Sequence, residues 1–263
     1  MQNGRFAIFD QIKQEKKPYV MAHRGSREKF PENTIAAFEQ AFIDGADILE
    51  TDLQISSDGQ FMCIHDETID RTTNGSGLVS INSVKELKEF QILDLQGQPG
   101  GLTIPTLSEA ARILPVGKVI ALELKSDQFL ETAVCENFAA ALEKENLLNQ
   151  AIVLSFSLKR LYQVKEVIPQ MPIGWITLAR LIPDEPVDLI GAIWPIFYIN
   201  PFYVRMAHRR GIFVCPLDPK PESRLEKYVR MGCDAVLADN PEAVRRRMNE
   251  IRARKKPPDR KYP

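Results

Sequence analysis

Short apolar runs alternate with longer amphipathic ones along nearly the whole of this 263-residue chain, and that alternation limits the fold more than any single motif. Strands are predicted at Tyr19–Ala22, Ala46–Leu53, Phe61–Ile64, Lys118–Leu124 and Ala151–Ser155. Four more are predicted at Pro172–Ile176, Ala192–Phe197, Gly211–Cys215 and Ala235–Leu237. Helical periodicity fills the gaps over Thr34–Asp44, Phe129–Lys144, Leu158–Val167, Pro201–Arg209, Glu222–Met231 and Pro241–Arg252. Pro31-Glu32-Asn33-Thr34 supplies the start signal of the first helix, a proline and a capping residue ahead of Ile35, Phe38 and Phe42. Residues 66–116 break the rhythm with turn-rich sequence and short helix candidates at Ser83–Phe90 and Thr106–Leu114, so they read as an excursion from a larger framework. Strands joined by crossover helices require a parallel sheet. About eight of them within one domain's length favour a closed α/β barrel over an open doubly wound sheet. No GxGxxG follows the first strand, which weighs against dinucleotide binding.

Composition excludes several classes. With a net charge of −1 there is no global field to draw nucleic acid or an anionic membrane. The basic stretch Arg245–Lys261 reads as a solvated helix end and tail. Cys63, Cys135, Cys215 and Cys233 form no CxxC pair and are expected to be reduced and buried. Met1–Lys17 lacks the apolar core of a signal peptide, and no run of 18 apolar residues occurs. A cytoplasmic protein without an integral membrane segment is the expectation; oligomeric state is left open.

The chain has three histidines, and two of them, His23 and His65, bracket the pair Glu50 and Asp52. Imidazole titrates near neutrality, so this placement resembles an acid and a base on either side of a metal. His23, Glu50, Asp52, His65 and Glu123 each fall at or just past the C-terminal end of a predicted strand, the rim where catalytic groups of a parallel barrel collect. Two-residue spacing turns Glu50 and Asp52 to one side, and likewise Glu123 and Lys125. Three crowded carboxylates need a cation, and oxygen-only ligands suit Mg²⁺ or Ca²⁺ better than zinc. With one such ion, Arg24 and Lys125, the set carries a single net positive charge and attracts a phosphodiester.

At these residues the chain resembles the glycerophosphodiester phosphodiesterase family. The resemblance rests on His23-Arg24-Gly25, Pro31-Glu32-Asn33-Thr34, Gly45 to Asp52, Asp58-Gly59, His65-Asp66, Arg71-Thr72-Thr73, Gly77, Ile104 to Leu107 and Glu123-Leu124-Lys125. It is looser in the second half, through Ser155-Phe156 and Ala238-Asp239-Asn240-Pro241. It implies a single (β/α)₈ TIM barrel domain over residues 1–263, with a small insertion after strand three at about 67–116. It also implies a divalent metal on Glu50, Asp52 and Glu123, an acid/base pair at His23 and His65, and phosphate contacts from Arg24 and Lys125. The substrate so implied is a small glycerophosphodiester, hydrolysed to sn-glycerol 3-phosphate and an alcohol. Attack by the glycerol 2-hydroxyl to give a cyclic phosphate, as in the sphingomyelinase D group, and a non-catalytic phosphate-binding barrel are the competing readings. One departure bears on specificity: where the family commonly carries Trp-Thr at the end of strand seven, this chain reads Val214-Cys215-Pro216-Leu217-Asp218.

Overall fold

The computed structural model describes residues 17–254, so the N-terminal segment through Lys16 and the basic stretch beyond Arg254 lie outside the described residues. Eight parallel staves follow one another around a barrel: β1 (Tyr19–His23), β2 (Ile48–Ile55), β6 (Val119–Leu124), β7 (Ala151–Ser155), β8 (Ile173–Thr177), β9 (Leu189–Ala192), β10 (Phe213–Val214) and β11 (Ala235–Ala238). Helices α1 (Ile35–Ile43), α4 (Thr132–Lys144), α5 (Leu158–Val167), α7 (Tyr203–Arg209), α8 (Leu225–Met231) and α9 (Pro241–Arg254) return the chain between or after them. Thr34 caps α1 as its sequence predicts, its hydroxyl accepting from Ala37 N at 3.1 Å.

Side chains alternate through the barrel wall. Met21, Ile48, Val119, Ala121, Ile152 and Leu154 point inward and fill the barrel, while Val20, Leu49, Leu53, Ile120, Leu122 and Val153 pack outward against the helices. That alternation continues to the staves' C-terminal ends, where the next inward positions are His23, Glu50, Asp52 and Glu123. Register joins them: His23 lies opposite Glu50 on the neighbouring stave, and Asp52 opposite Glu123.

Two expectations are corrected. The strand predicted at Phe61–Ile64 is β3 (Phe61–Cys63), which pairs antiparallel with β2 and is not a stave. Ser57-Asp58-Gly59 is too short for a crossover helix, so the chain can only fold straight back. The excursion that follows carries α2 (Val84–Leu87), a hairpin of β4 (Ile92–Leu93) and β5 (Pro99–Leu102), and α3 (Leu107–Arg112) before the third stave begins. The strand predicted at Ala192–Phe197 lies earlier, ending at Ala192, and Ile196–Ile199 form a short helix α6. Pro195, with φ −61° and ψ −26°, starts that helix inside the apolar run.

Aspartates at the opposite rim tie stave to stave. Asp47, Asp188 and Asp234 each stand one residue before a stave or its start and accept from the backbone N–H of a neighbouring stave, at Val20 (2.9 Å), Ile173 (3.0 Å) and Val214 (2.9 Å). Between β10 and β11 this matters most, because that seam has no ladder of its own among the described residues; Asp234 N donates to Val214 O at 2.9 Å. Burial alone would raise the Asp234 carboxyl, but hydrogen bonds from His208, Lys17 and Val214 N outweigh it and hold it below the ordinary carboxylate range. Its contribution to stability is therefore present at neutral pH and lost as pH falls below that range. Asp234→Ala strands the buried Val214 N–H, and urea unfolding should show a loss of about 1–3 kcal/mol. An unchanged midpoint would mean that the seam does not depend on this carboxylate.

Candidate active site

The mouth of the barrel gathers all seven residues singled out in the sequence. Glu50, Asp52 and Glu123 are buried and each offers an oxygen within 4.8 Å of the others. Lys125 Nζ donates to Glu123 Oε1 at 2.5 Å and stands 3.1 Å from Asp52 Oδ1. Arg24 Nη1 donates to Glu32 Oε1 at 2.9 Å, and its Nε lies 2.9 Å from Asp52 Oδ2 without the alignment of a hydrogen bond. His65 is within electrostatic reach of both Asp52 and Glu123.

Local sequence explains how these groups are aimed. Arg24 adopts φ 58°, an uncommon left-handed conformation for a side-chain-bearing residue, and this turns its N–H onto Glu50 Oε2 at 2.8 Å. Gly25 follows with φ +88°, and a Cβ there would lie 2.7 Å from the Ala37 backbone on α1, so only glycine permits the turn and the close approach together.

Several residues that hold the site stand in the motifs of the resemblance but were given no role from the sequence. Asn33 Nδ2 donates to Asp52 Oδ2 at 2.9 Å while Asn33 Oδ1 accepts from Thr51 Oγ1 at 2.8 Å. Glu32 receives three arginines, Arg24, Arg27 and Arg71. Asp239, just past the eighth stave, lies 2.7 Å from His23 Nδ1. Asp66 Oδ1 does the same for His65 Nδ1 at 2.6 Å, and Arg71 bridges Asp66 to Glu32. Since an ionised carboxylate only accepts, each imidazole carries a proton on Nδ1 and leaves Nε2 as the nitrogen available to exchange a proton. Glu32 and Asn33 had a signal, the same Pro-Glu-Asn-Thr run that starts α1; the partnership of His23 with Asp239 spans 216 positions and leaves no local trace.

Electrostatics within the cluster are unbalanced. Burial, then the charges of Asp52 and Glu123, push the Glu50 carboxyl well above its ordinary value. Burial also raises Glu123, more than Lys125 pulls it down. Asp52 feels burial too, but Lys125 and Arg24 hold it below the usual range. Burial lowers the His23 imidazole, and its hydrogen bond to Asp239 offsets only part of this. Asp52 Oδ1 is buried and faces Lys125 Nζ at 3.1 Å without the alignment of a hydrogen bond. Three buried carboxylates within 4.8 Å of one another, two of them raised above their ordinary range, make an all-oxygen donor set that fits a hard divalent cation.

Comparisons with known proteins agree with this geometry. Residues 23–243 match the model of the glycerophosphoryl diester phosphodiesterase family. A glycerophosphodiester phosphodiesterase of Caldanaerobacter subterraneus is 32% identical over 87% of this chain and 96% of its own. Among solved structures, an Oleispira antarctica phosphodiesterase in complex with the product sn-glycerol-3-phosphate aligns at TM-score 0.77 with 28% identity, covering 88% of this chain and 97% of that one. A glycerophosphodiester phosphodiesterase from Agrobacterium tumefaciens shares the fold at TM-score 0.76 with 23% identity, covering 86% and 98%.

Proposed function

The chain belongs to the glycerophosphoryl diester phosphodiesterase family and is a hydrolase of glycerophosphodiesters, and from that premise we propose how its own residues divide the work. Glu50, Asp52 and Glu123 hold a divalent ion, Mg²⁺ or Ca²⁺, which when bound polarises the phosphoryl oxygens as a Lewis acid. Arg24 and Lys125 bind the phosphate oxygens and balance the charge that grows on them. His23 Nε2 takes a proton from the attacking water; burial, which favours its neutral form, supports this base role. His65 Nε2 gives a proton to the departing alkoxide. Asp239 and Asp66 hold the two rings through Nδ1–H, leaving Nε2 bare on His23 to accept a proton and protonated on His65 to give one. The products are sn-glycerol 3-phosphate and an alcohol.

The observation that carries this reading is the meeting of two carboxylate-anchored imidazoles with three buried carboxylates at one barrel mouth. A binding module has no use for imidazoles held in this way. The test is ³¹P NMR of glycerophosphocholine turnover, with and without added Mg²⁺ or Ca²⁺. Metal-stimulated appearance of glycerol 3-phosphate as the end product is expected. Accumulation of a five-membered cyclic phosphate as the sole end product would replace hydrolysis by the lyase reading. No helix among the described residues is long and apolar enough to cross a membrane.

A further inference from the structure

The two site histidines are joined by a second route besides the carboxylate cluster between them. Asp239 Oδ1, 2.7 Å from His23 Nδ1, also lies 3.7 Å from Arg27 Nη1. Arg27 Nη2 stands 2.9 Å from Glu32 Oε2. On its other oxygen, Glu32 Oε1 accepts from Arg71 Nη2 at 2.8 Å and from Arg24 Nη1 at 2.9 Å. Arg71 Nε donates to Asp66 Oδ2 at 2.5 Å, and Asp66 Oδ1 accepts from His65 Nδ1 at 2.6 Å. Carboxylate and guanidinium thus alternate from one imidazole to the other without passing through Glu50, Asp52 or Glu123.

Glu32 is the middle of this chain, the carboxylate that Arg27 and Arg71 share, and its side chain is only 8% exposed. Burial alone would raise its carboxyl, but the hydrogen bond from Arg71 and the charges of the three arginines hold it below the ordinary carboxylate range. Its own backbone is tied down beside it, where Asn33 N donates to Arg24 O at 3.0 Å. The groups it gathers come from three separate stretches: Arg24 and Arg27 after β1, Asp239 after β11, and Asp66 and Arg71 from the excursion that follows β3. Arg27 and Arg71 are 29% and 49% exposed, and exposed ion pairs fix little by themselves. A buried, charged anchor common to both fixes them against each other.

We infer that Glu32 is a positioning residue for both proton transfers, setting His23 through Arg27 and Asp239 and His65 through Arg71 and Asp66. The inference rests on the reading of His23 as base and His65 as acid given above. It gives the excursion a part in the reaction, since Arg71 is what aims the ring that protonates the leaving group. A carboxylate that only fastened the excursion to the barrel would need Arg71 and have no use for Arg27.

The two arms separate by leaving group. The alkoxide of choline needs a proton as it departs, whereas p-nitrophenolate leaves without one. Weakening the acid is therefore felt on glycerophosphocholine and little on the p-nitrophenyl diester of glycerol 3-phosphate; weakening the base is felt on both. Glu32→Gln keeps the shape, removes the charge, and should lower kcat on glycerophosphocholine about 10–100-fold, as misplacement by an ångström does. KM should move less, because Arg24 keeps Asp52 at 2.9 Å. Arg71→Ala should cost at least about tenfold on glycerophosphocholine and under about threefold on the aryl diester, while Arg27→Ala should cost both substrates alike. These two side chains are partly exposed, so their variants decide the matter even if Glu32→Gln does not fold. Ring ¹H–¹⁵N spectra of the three histidines add a readout independent of turnover. Glu32→Gln should move the Nδ1–H signals of both His23 and His65, Arg27→Ala mainly the first and Arg71→Ala mainly the second, with His208 unmoved throughout. Site-histidine signals that stay in place in Glu32→Gln, or equal losses on both diesters in both arginine variants, overturn the proposal. The two leaving-group patterns interchanged between the arginine variants would uphold it and exchange the roles of the histidines. Ring signals that move as expected in a protein that hydrolyses neither diester would uphold the link between the rings and reject the phosphodiesterase reading instead.

Discussion

His23→Ala should lower kcat about 10²–10⁴-fold, the range that one positioned proton-transfer group supplies, while the fold and the response to divalent metal survive. The imidazole is not among the three clustered carboxylates, so its loss leaves the oxygen donors intact. It stands at the end of a fully packed stave, and the β1–β2 and β1–β11 ladders persist without its side chain. The pH profile adds a second readout. Because burial lowers the His23 imidazole, the limb on which the wild type loses activity in acid should lie below the ordinary histidine range, with the rate rising as pH increases through it. Asp239→Asn removes a contact that raises this group, so the limb should move lower still, with kcat reduced and KM little changed. Wild-type turnover in His23→Ala would remove this imidazole from the chemistry. A limb that moves upward in Asp239→Asn would show that the carboxylate is not what sets the ring's proton.

The sequence carried most of this site because the residues at the mouth are the inward positions of regular staves. Two-residue alternation turns Glu50 and Asp52 the same way, and the strand-end rule brings Glu123 to them although it lies more than seventy positions away. His65 was legible for a different reason than the one that positions it: the strand before it turns back antiparallel instead of continuing the barrel, and Gln54 Nε2 donates to the His65 carbonyl at 3.2 Å to fix the return. The apolar run Ala192–Phe197 misled because hydrophobicity without alternation fits a short buried helix as well as a strand. Asp239, Glu32 and Asn33 act through partners on other elements, and no local pattern announces such pairs. Asn33 shows this directly: as one letter in a helix-start signal it is ordinary, yet in the fold its φ of 54° aims its side-chain amide at Asp52.

Glu50→Gln should stabilise the metal-free protein and abolish the response to metal. Glu50 is 3% exposed and its carboxyl is raised well above the ordinary value by burial and by the charges of Asp52 and Glu123. A group raised in this way contributes stability that is present below its unfolded pKa and is lost as pH rises through the folded one. At neutral pH without an ion, its charge therefore opposes folding. Glutamine keeps the shape and the acceptor for the Arg24 N–H, which Glu50 takes at 2.8 Å, while removing that charge. Metal-free Glu50→Gln should melt several degrees above the metal-free wild type at pH 7, at about 2–4 °C per kcal/mol for a chain of this size. The order should reverse on adding Mg²⁺ or Ca²⁺, since an ion at a hundred times its dissociation constant adds about 2.7 kcal/mol to the protein that binds it. Activity should be lost in the variant at every metal concentration at which the wild type is saturated. The trade is the one expected where catalysis needs like charges held together: the cluster costs stability until a cation joins it. A metal-free variant that melts below the wild type, or equal metal-induced shifts in the two proteins, would show that Glu50 is an ordinary buried partner of Arg24 and not part of a cation site.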